Sequence, residues 1–161
     1  MCGIAGISGK WMQENHLKWL DAMKEAMQHR GSDDHGSIQW DDCSLGHQRL
    51  SIIDTSSDGH QPMVDGSENV VVVYNGEIYN FIELRQLLKG NYEFKTDSDT
   101  EVLIAAYLRW GREFVNYLNG MFAIAIYDKQ SHELLLIRDR VGEKPLYFFE
   151  KNQTLFFASE I

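Results

Sequence analysis

The chain of 161 residues is long enough for one domain with a substantial core, and its 43% hydrophobic and 24% charged residues are ordinary values for a globular protein. Its 15 basic and 24 acidic residues give a formal net charge of −9, which argues against binding to nucleic acid or to an anionic membrane. Because the sequence has no apolar run long enough for a membrane span and no signal segment, a cytoplasmic protein is expected. Two cysteines are too few for a disulfide framework.

Apolar patterning in the first half of the chain predicts one helix among strands, in the order strand 3–8, helix 15–29, strand 43–54 and strand 69–74. The helix is indicated by four apolar residues at helical spacing: Leu17, Leu20, Met23 and Met27. The strand 69–74 is a β-branched run suited to burial. The Asn75-Gly76 dipeptide directly after it predicts a turn.

The second half predicts two helices followed by strands. Asn80 and Glu83 have the spacing of a capping box, which predicts a helix that closes at Gly90. The residues 97–100 offer several N-caps for a second helix, which is expected to end at Gly111. Four apolar segments with turn-like residues between them then predict a meander of hairpins: 120–128, 133–140, 145–150 and 154–159.

This order of elements indicates an α+β domain. Two adjacent helices between two blocks of strands suggest layered sheets with helices packed outside them. We therefore expect a four-layer α/β/β/α sandwich, with a simpler two-layer α+β domain as the alternative.

Cys2 stands directly behind the initiator methionine. Removal of Met1 is favoured when the second residue is small, and it would leave Cys2 with a thiol and a free α-amine on one carbon. Their reference pKa values, about 8.5 and about 7.7–8.0, both lie near physiological pH, so the amine could take the thiol proton directly or through a water. Cys2 is therefore a candidate nucleophile, and the alternative is a small apolar residue without chemistry.

Asn75 and Gly76 are candidates for stabilising an oxyanion. Attack on an amide carbonyl places negative charge on its oxygen, which needs preset hydrogen-bond donors. Asn75 offers a side-chain amide, and Gly76 offers a backbone N–H with no side chain in the way. A plain hairpin turn is the alternative, although a turn does not need Glu77, whose carboxylate could accept from a substrate amine or amide.

Six segments occur in order along the chain: MCGIAG, HRGSDD (29–34), GHQRLSIID (46–54), YNGEIYN (74–80), TDSDTEVLIAAY (96–107) and RDRVGEKPLYF (138–148). On these segments the chain resembles the N-terminal glutaminase domain of glutamine-hydrolysing asparagine synthetases and of asparagine-synthetase-like proteins, within the class II amidotransferases. The resemblance covers essentially the whole chain. It implies the N-terminal nucleophile hydrolase fold and hydrolysis of glutamine to glutamate and ammonia.

The resemblance also implies catalytic roles. Cys2 matches the nucleophile that forms a γ-glutamyl thioester once Met1 is lost, and Asn75 and Gly76 match the oxyanion hole. Arg30 matches a motif arginine near the nucleophile, which is expected to support structure.

Glutamine binding is implied for five further positions. Arg49 matches the residue that pairs with the α-carboxylate, a task suited to a bidentate guanidinium. Asp99, with help from Glu77, matches the carboxylate that receives the α-ammonium. The backbone around Ile52 and Ile53 is expected to line the same pocket. Apart from the resemblance, Arg49 could be a solvated strand residue and Asp99 a helix cap.

The sequence departs from the family pattern in three places. Ser32 replaces a usual proline, which predicts a looser loop. Val141 and Glu143 replace an aromatic and an apolar residue, a variation familiar in proteins that amidate sugar carboxylates, so the acceptor of the ammonia stays open. The family continues beyond FASEI into an ATP-using synthetase domain. We therefore expect residues 1–161 to be a glutaminase domain excised from a longer chain, with ATP and Mg²⁺ needed only by the missing domain.

Other functions fit the sequence less well. The six histidines are scattered and no C-x-x-C or H-E-x-x-H spacing occurs, so no metal or cofactor is expected. A non-catalytic regulatory or assembly module of the same fold is the main alternative. A glutaminase that feeds a sugar phosphate or phosphoribosyl compound is a further one, but the segments 97–107 and 142–148 favour the asparagine synthetase branch. The expected partners are glutamine and the synthetase domain, with homodimerisation left open.

Overall fold

A computed structural model describes residues 1–9, 16–52 and 56–161 of the chain. Within these ranges the strands are β1 (Gly3–Gly9), β2 (Asp34–Gln39), β3 (Cys43–Arg49), β4 (Met63–Val64), β5 (Val70–Ile78), β6 (Gly120–Asp128), β7 (Glu133–Arg138), β8 (Tyr147–Lys151) and β9 (Thr154–Ala158). The helices are α1 (His16–Ala26), α2 (Phe81–Leu88) and α3 (Asp99–Trp110). Short 3-10 turns occupy Gln28–Arg30, Ser57–Gly59 and Gly111–Tyr117. No helix within the described ranges is long and apolar enough to cross a membrane.

The strands form two antiparallel sheets that stack face to face. One sheet has the strand order β2-β3-β1-β9-β8 and the other has the order β4-β5-β6-β7. Helix α1 packs on β1 and β3 of the first sheet, whereas α3, with α2 beside it, packs on β5 of the second. The result is the predicted four-layer α/β/β/α arrangement, and the two-layer alternative is wrong.

The burial of strand β5 on both faces explains why the β-branched run at 70–74 is continuously apolar. Val70, Val72 and Tyr74 pack in the core beneath α2 and α3, whereas Val71 and Val73 pack in the core between the two sheets. Successive side chains of a strand point to opposite faces, so a strand buried on both sides needs apolar residues at every position. Each fully buried aliphatic side chain stabilises the fold by roughly 1.5–3 kcal/mol.

The strand predictions fail where tertiary pairing decides the outcome. Asn75-Gly76 is not a turn, because β5 continues to Ile78 and pairs Asn75 with Ala123 and Gly76 with Phe122 of β6. The last four strands are not one meander, since β6 and β7 belong to one sheet and β8 and β9 to the other. The segment expected over 43–54 is a strand only to Arg49, and part of it, 53–54, lies outside the described residues.

The helix predictions are correct in number and wrong in detail. Helix α1 ends at Ala26 and leaves Leu17 exposed, while residue 15 lies outside the described ranges. Asn80 precedes α2 but its side chain makes no capping bond; it donates to the Tyr117 carbonyl and accepts from the Asn119 N–H instead. Consequently no capping box forms, and α2 ends at Leu88, before the predicted glycine. The prediction for α3 is confirmed, as it ends before Gly111, where φ is +56°.

His47 joins the two sheets at a buried point. It lies on β3, and its Nε2 lies 3.1 Å from the carbonyl oxygen of Tyr74 on β5, to which a neutral imidazole can donate. Among the described residues its Nδ1 has no hydrogen-bond partner. Burial lowers the pKa of His47 to about 4, so the ring is neutral at physiological pH.

We expect His47 to make the domain acid-sensitive. The unfolded chain takes up the proton near pH 6.5, before the folded chain does, so the stability supplied by neutral His47 is complete above pH 6.5 and is lost as the pH falls toward 4. This pKa gap corresponds to on the order of 3 kcal/mol. Urea unfolding at several pH values should show this loss in the wild type and a much flatter dependence in His47→Gln. The exposed His35→Gln is the matched control, and an unchanged pH dependence in His47→Gln would contradict the assignment.

Candidate active site

Four segments meet around one pocket. They are the residues before β1, the end of β3 with the loop after it, the last part of β5, and the first turn of α3. The pocket brings together every sequence-predicted site residue that the structure describes: Cys2, Arg49, Ile52, Asn75, Gly76, Glu77 and Asp99. Ile53 lies outside the described residues.

The thiol of Cys2 is held against the loop after β3. Its Sγ lies 3.4 Å from both the backbone nitrogen and the carbonyl oxygen of Leu50. The Arg30 Nε donates to the Cys2 carbonyl at 3.0 Å, and its Nη1 donates to Glu160 at 2.7 Å, so Arg30 anchors the N-terminal strand as predicted. Burial raises the pKa of the Cys2 thiol, while the Leu50 N–H and the positive charges of the N-terminus and Arg49 act in the opposite direction.

Asn75 presents an unused donor. Its side chain is buried, with 2% of the residue exposed, and among the described residues the Nδ2 has no hydrogen-bond partner. An unsatisfied buried donor costs about 1–3 kcal/mol, and such groups in native structures generally have a functional reason. Because Asn75 lines the pocket, this donor is available to a bound molecule.

Gly76 is required by the close approach of β6. A Cβ at this position would overlap the Met121 carbonyl oxygen and come within 2.8 Å of the Cα of Phe122. Glycine is therefore needed here for steric reasons, because two strands approach closely. The sequence pattern instead predicts a turn at this glycine.

Asp99 is the first residue of α3, and its carboxylate turns inward. Its Oδ2 accepts from the Tyr74 hydroxyl at 2.9 Å and from the Ile78 N–H at 3.2 Å. Ser98 is the N-cap, since its side chain accepts from the Thr100 N–H, so capping does not account for Asp99. Burial raises the pKa of Asp99 despite these donors, and burial together with the Asp99 charge raises the pKa of Tyr74 well above its usual value.

Arg49 and the residues beside it complete the pocket. Arg49 is buried and donates from Nη1 to the Ser56 carbonyl at 2.8 Å, so a solvated strand residue is the wrong description. Glu77 is half-buried, and Ile52 is largely exposed at the rim. The pocket thus carries a cation on one strand end and two carboxylates, Glu77 and Asp99, on neighbouring elements.

Gln61 is a pocket residue that the sequence did not reveal. It is buried; its Oε1 accepts from the Tyr74 N–H at 2.7 Å and its Nε2 donates to the Thr100 hydroxyl at 3.2 Å. It therefore ties β5 to the start of α3. A polar residue in a loop gives no local sign of such a role, and only its position before Pro62 marks it at all.

Potential metal ligands do not assemble in the described part of the chain. Over residues 1–9, 16–52 and 56–161, no group of three or more His, Cys, Asp or Glu side chains is arranged to hold a metal ion. The side chains that line the pocket offer a thiol, hydrogen-bond donors and charged groups.

A family model described as a glutamine amidotransferase domain matches residues 1–161. The chain belongs to this family. It is 41% identical to glutamine-hydrolysing asparagine synthetase 1 of Bacillus subtilis (strain 168) over 99% of the chain and 26% of the relative. It is 42% identical to asparagine synthetase 2 of the same organism and 39% identical to the Zea mays enzyme, over the whole chain and 22% and 28% of their lengths. The amidotransferase domain thus spans about a quarter of these relatives.

The fold of this amidotransferase domain is also found in a solved structure. The glutamine phosphoribosylpyrophosphate amidotransferase of B. subtilis, solved with ADP and GMP, superposes with a TM-score of 0.84 over 99% of this chain and 42% of that one. At 23% sequence identity the likeness concerns the fold alone. This neighbour supports the predicted α+β sandwich fold.

We expect Gly76→Ala to destabilise the amidotransferase domain. The added methyl group overlaps backbone of β6, which cannot move without breaking the ladder, so the free energy of unfolding in urea should fall by about 2 kcal/mol or more. Gly90→Ala is the matched control, because a Cβ there meets nothing within 4 Å, and its stability should change by less than about 1 kcal/mol. Equal stabilities of the two variants would refute the steric account of Gly76.

Proposed function

We propose that the domain hydrolyses glutamine to glutamate and ammonia, with Cys2 as the nucleophile after loss of Met1. The observation that carries this proposal is the pocket lined by both the Cys2 thiol and Asn75, whose Nδ2 has no hydrogen-bond partner among the residues that the structure describes. Membership of the glutamine amidotransferase family supports the choice of substrate.

In the first half of the reaction the thiol is acylated. The α-amine of Cys2 takes the thiol proton, and the sulfur attacks the Cδ carbonyl carbon of glutamine. The oxyanion that forms accepts hydrogen bonds from the Asn75 side-chain amide and the Gly76 backbone N–H. When the carbonyl re-forms, the Cδ–N bond breaks, the α-ammonium returns its proton to the leaving nitrogen, and ammonia departs from a γ-glutamyl thioester.

In the second half water replaces the sulfur. The α-amine takes a proton from the water as its oxygen attacks the thioester carbon, and the same two donors bind the second oxyanion. Collapse expels the Cys2 sulfur, which recovers the proton from the α-ammonium. One water is consumed, glutamate and ammonia are released, and Cys2 regains its starting state.

The charged groups of the pocket suit the head group of a free amino acid. We assign the α-carboxylate to the Arg49 guanidinium, a planar donor that binds a carboxylate with two parallel hydrogen bonds. The α-ammonium is assigned to Asp99, which Tyr74 and Ile78 hold in place, with Glu77 beside it. The segment around Ile52 and Ile53 is assigned to the rim of the same pocket. This pair of charges would select free glutamine over a glutamine side chain within a protein.

The ammonia is proposed to serve an amidation elsewhere in a longer protein. The curated relatives are named as glutamine-hydrolysing asparagine synthetases and are several times longer than this chain. We therefore propose a synthetase domain as the partner of residues 1–161, with ATP and Mg²⁺ acting in that domain and aspartate or another carboxylate as acceptor. A cytoplasmic location and homodimerisation belong to the same proposal.

The nucleophile is tested by substitution and by labelling. Cys2→Ala should lower ammonia release from glutamine by at least about three orders of magnitude, because it removes the attacking atom. The reactive glutamine analogue 6-diazo-5-oxo-norleucine should add one adduct to the wild type, at Cys2, in protein shown by intact mass to lack Met1. Protein that retains Met1 should neither react nor turn over, since its Cys2 nitrogen is an amide.

Cys43→Ala is the matched control for this test. The Cys43 thiol is fully buried, and burial raises its pKa far above the usual range, so its loss should leave labelling and turnover intact. A Cys2→Ala protein that still hydrolyses glutamine would refute the proposal. Processed wild type that neither labels nor releases ammonia would instead indicate the non-catalytic module.

Arg49→Lys tests the carboxylate assignment. A point charge replaces the two-pronged guanidinium, so the KM for glutamine should rise roughly tenfold or more while kcat changes little, as expected for binding that the ground state and the transition state share. Arg109→Lys, at an exposed position of α3, should leave both constants unchanged. An unaltered KM in Arg49→Lys would mean that the carboxylate binds elsewhere.

A further inference from the structure

The segment 138–148 has no part in the chemistry proposed above, yet its first half is held by an extensive set of hydrogen bonds. The buried Asp139 carboxylate accepts from four backbone N–H groups: those of Phe122, Val141, Glu143 and Lys144. Burial acts to raise the pKa of Asp139, but these donors outweigh it and lower that pKa, which keeps the carboxylate ionised. Arg138 closes the loop by donating to the carbonyls of Lys144 at 2.9 Å and Gly142 at 2.7 Å.

This loop delivers the side chain of Lys144 to the pocket. Lys144 is only 6% exposed and lines the same pocket as Cys2. Within the described ranges its Nζ has one partner, the thioether sulfur of Met1 at 3.1 Å, and no carboxylate lies within ion-pair distance. A thioether is a weak acceptor, and buried lysines are almost always ion-paired. A buried ammonium held in this way needs an explanation other than stability.

Loss of Met1 changes the surroundings of this ammonium. The sulfur that accepts from Lys144 leaves with the methionine, and a new amine appears on Cys2, in the same pocket. The other polar and charged groups around the Cys2 amine and thiol come from four elements: Arg30, Arg49, Tyr74, Glu77 and Asp99.

A charge count shows what the site favours when glutamine is bound. Lys144 and Arg49 contribute two positive charges, and Glu77 and Asp99 contribute two negative ones. The glutamine zwitterion adds no net charge, so the site is neutral when the Cys2 amine is neutral. Protonating that amine would add a positive charge to a pocket whose other lining charges already balance.

We propose that Lys144 is a positioning residue that acts through Cys2, keeping the α-amine in its neutral, proton-accepting form at physiological pH. The inference rests on the proposed function. A nearby cation disfavours protonation of an amine and favours a thiolate, and each effect is on the order of one pH unit for a close, partly buried neighbour. A neutral amine can accept the thiol proton, and the effect on the thiolate opposes the burial that raises the pKa of the Cys2 thiol.

The test compares Lys144→Met with the wild type in protein whose loss of Met1 is confirmed by intact mass. Methionine keeps the length of the side chain and removes its charge. The rate of iodoacetamide alkylation at Cys2, measured by peptide mass, and kcat/KM for glutamine are each followed from pH 5 to pH 10. In Lys144→Met both acid limbs should move up by about one pH unit, so that the rates fall about tenfold near pH 6.5 and approach those of the wild type at high pH.

Three further variants make the result decisive. Lys144→Arg keeps the charge and should keep the wild-type midpoints, whereas Lys144→Gln should move them as Lys144→Met does. Lys89→Met removes an exposed lysine at the end of α2 and should change neither profile. Melting temperatures identify any variant that fails to fold, and the other uncharged variant then carries the comparison.

The possible outcomes separate this inference from the proposed function. A loss of rate that is the same at every pH, with unmoved midpoints, would overturn it and leave Lys144 a merely structural residue. Alkylation needs no glutamine turnover. A wild type that hydrolyses no glutamine would therefore refute the proposed function, while a shifted alkylation midpoint in Lys144→Met would still support the action of Lys144 on Cys2.

Discussion

The peptide and side chain of Tyr74 are fixed by three groups from three parts of the fold, and the site depends on this attachment. His47 of the first sheet lies against its carbonyl, Gln61 accepts from its N–H, and its hydroxyl donates to Asp99 at the start of α3. These contacts fix the position of β5 relative to the sheet next to Cys2 and to the helix that carries Asp99. Asn75 and Gly76 follow directly in the chain, so their donors take a fixed position relative to the thiol.

The burial that orders the site also makes its polar groups unfavourable for folding. Burial raises the pKa values of Cys2 and Asp99, and it leaves the Asn75 amide without a partner among the described residues. The buried Asp99 carboxylate and the Asn75 Nδ2 are unfavourable for folding, the amide by an amount comparable to a lost hydrogen bond. Three apolar cores, one between the sheets and one beneath each helical layer, offset these terms. A low dielectric then strengthens every charge interaction inside the pocket.

Within the described ranges, local pattern predicts the three helices and seven of the nine strands in order, but not β2 or β4. The binding roles expected for Arg49 and Asp99 come from the resemblance and not from local pattern. The helices and the long strands carry strong periodicity, and the motif residues sit at strand ends and at a helix start, where a layered α+β fold gathers them. The failures share a cause, which is contact between residues far apart in sequence. Gly76 is required because a Cβ there would overlap the backbone of Met121. Asn80 forms hydrogen bonds with Tyr117 and Asn119 instead of capping its helix.

The residues that the sequence did not reveal fail for the same reason. Gln61 and His47 act across 13 and 27 residues on the same residue, contacting the N–H and the carbonyl oxygen of Tyr74 respectively. Neither has a neighbour in sequence that marks its role, and each would pass as an ordinary polar residue of a loop or a strand. Only the packing of the two sheets and α3 brings them to Tyr74, so no reading of periodicity or capping could have found them.

Methionine removal has two consequences at one place. Met1 keeps the nitrogen of Cys2 as an amide, which cannot accept a proton, and its sulfur is the partner of the Lys144 ammonium. A single cleavage therefore creates the base, the Cys2 α-amine, and removes the sulfur that accepts from the Lys144 ammonium. The loop around Asp139 holds the main chain of Lys144 at the pocket independently of that partner. On this proposal, removal of Met1 alone both frees the Cys2 amine and releases the Lys144 ammonium from its sulfur partner. The fold does not need to rearrange for either change.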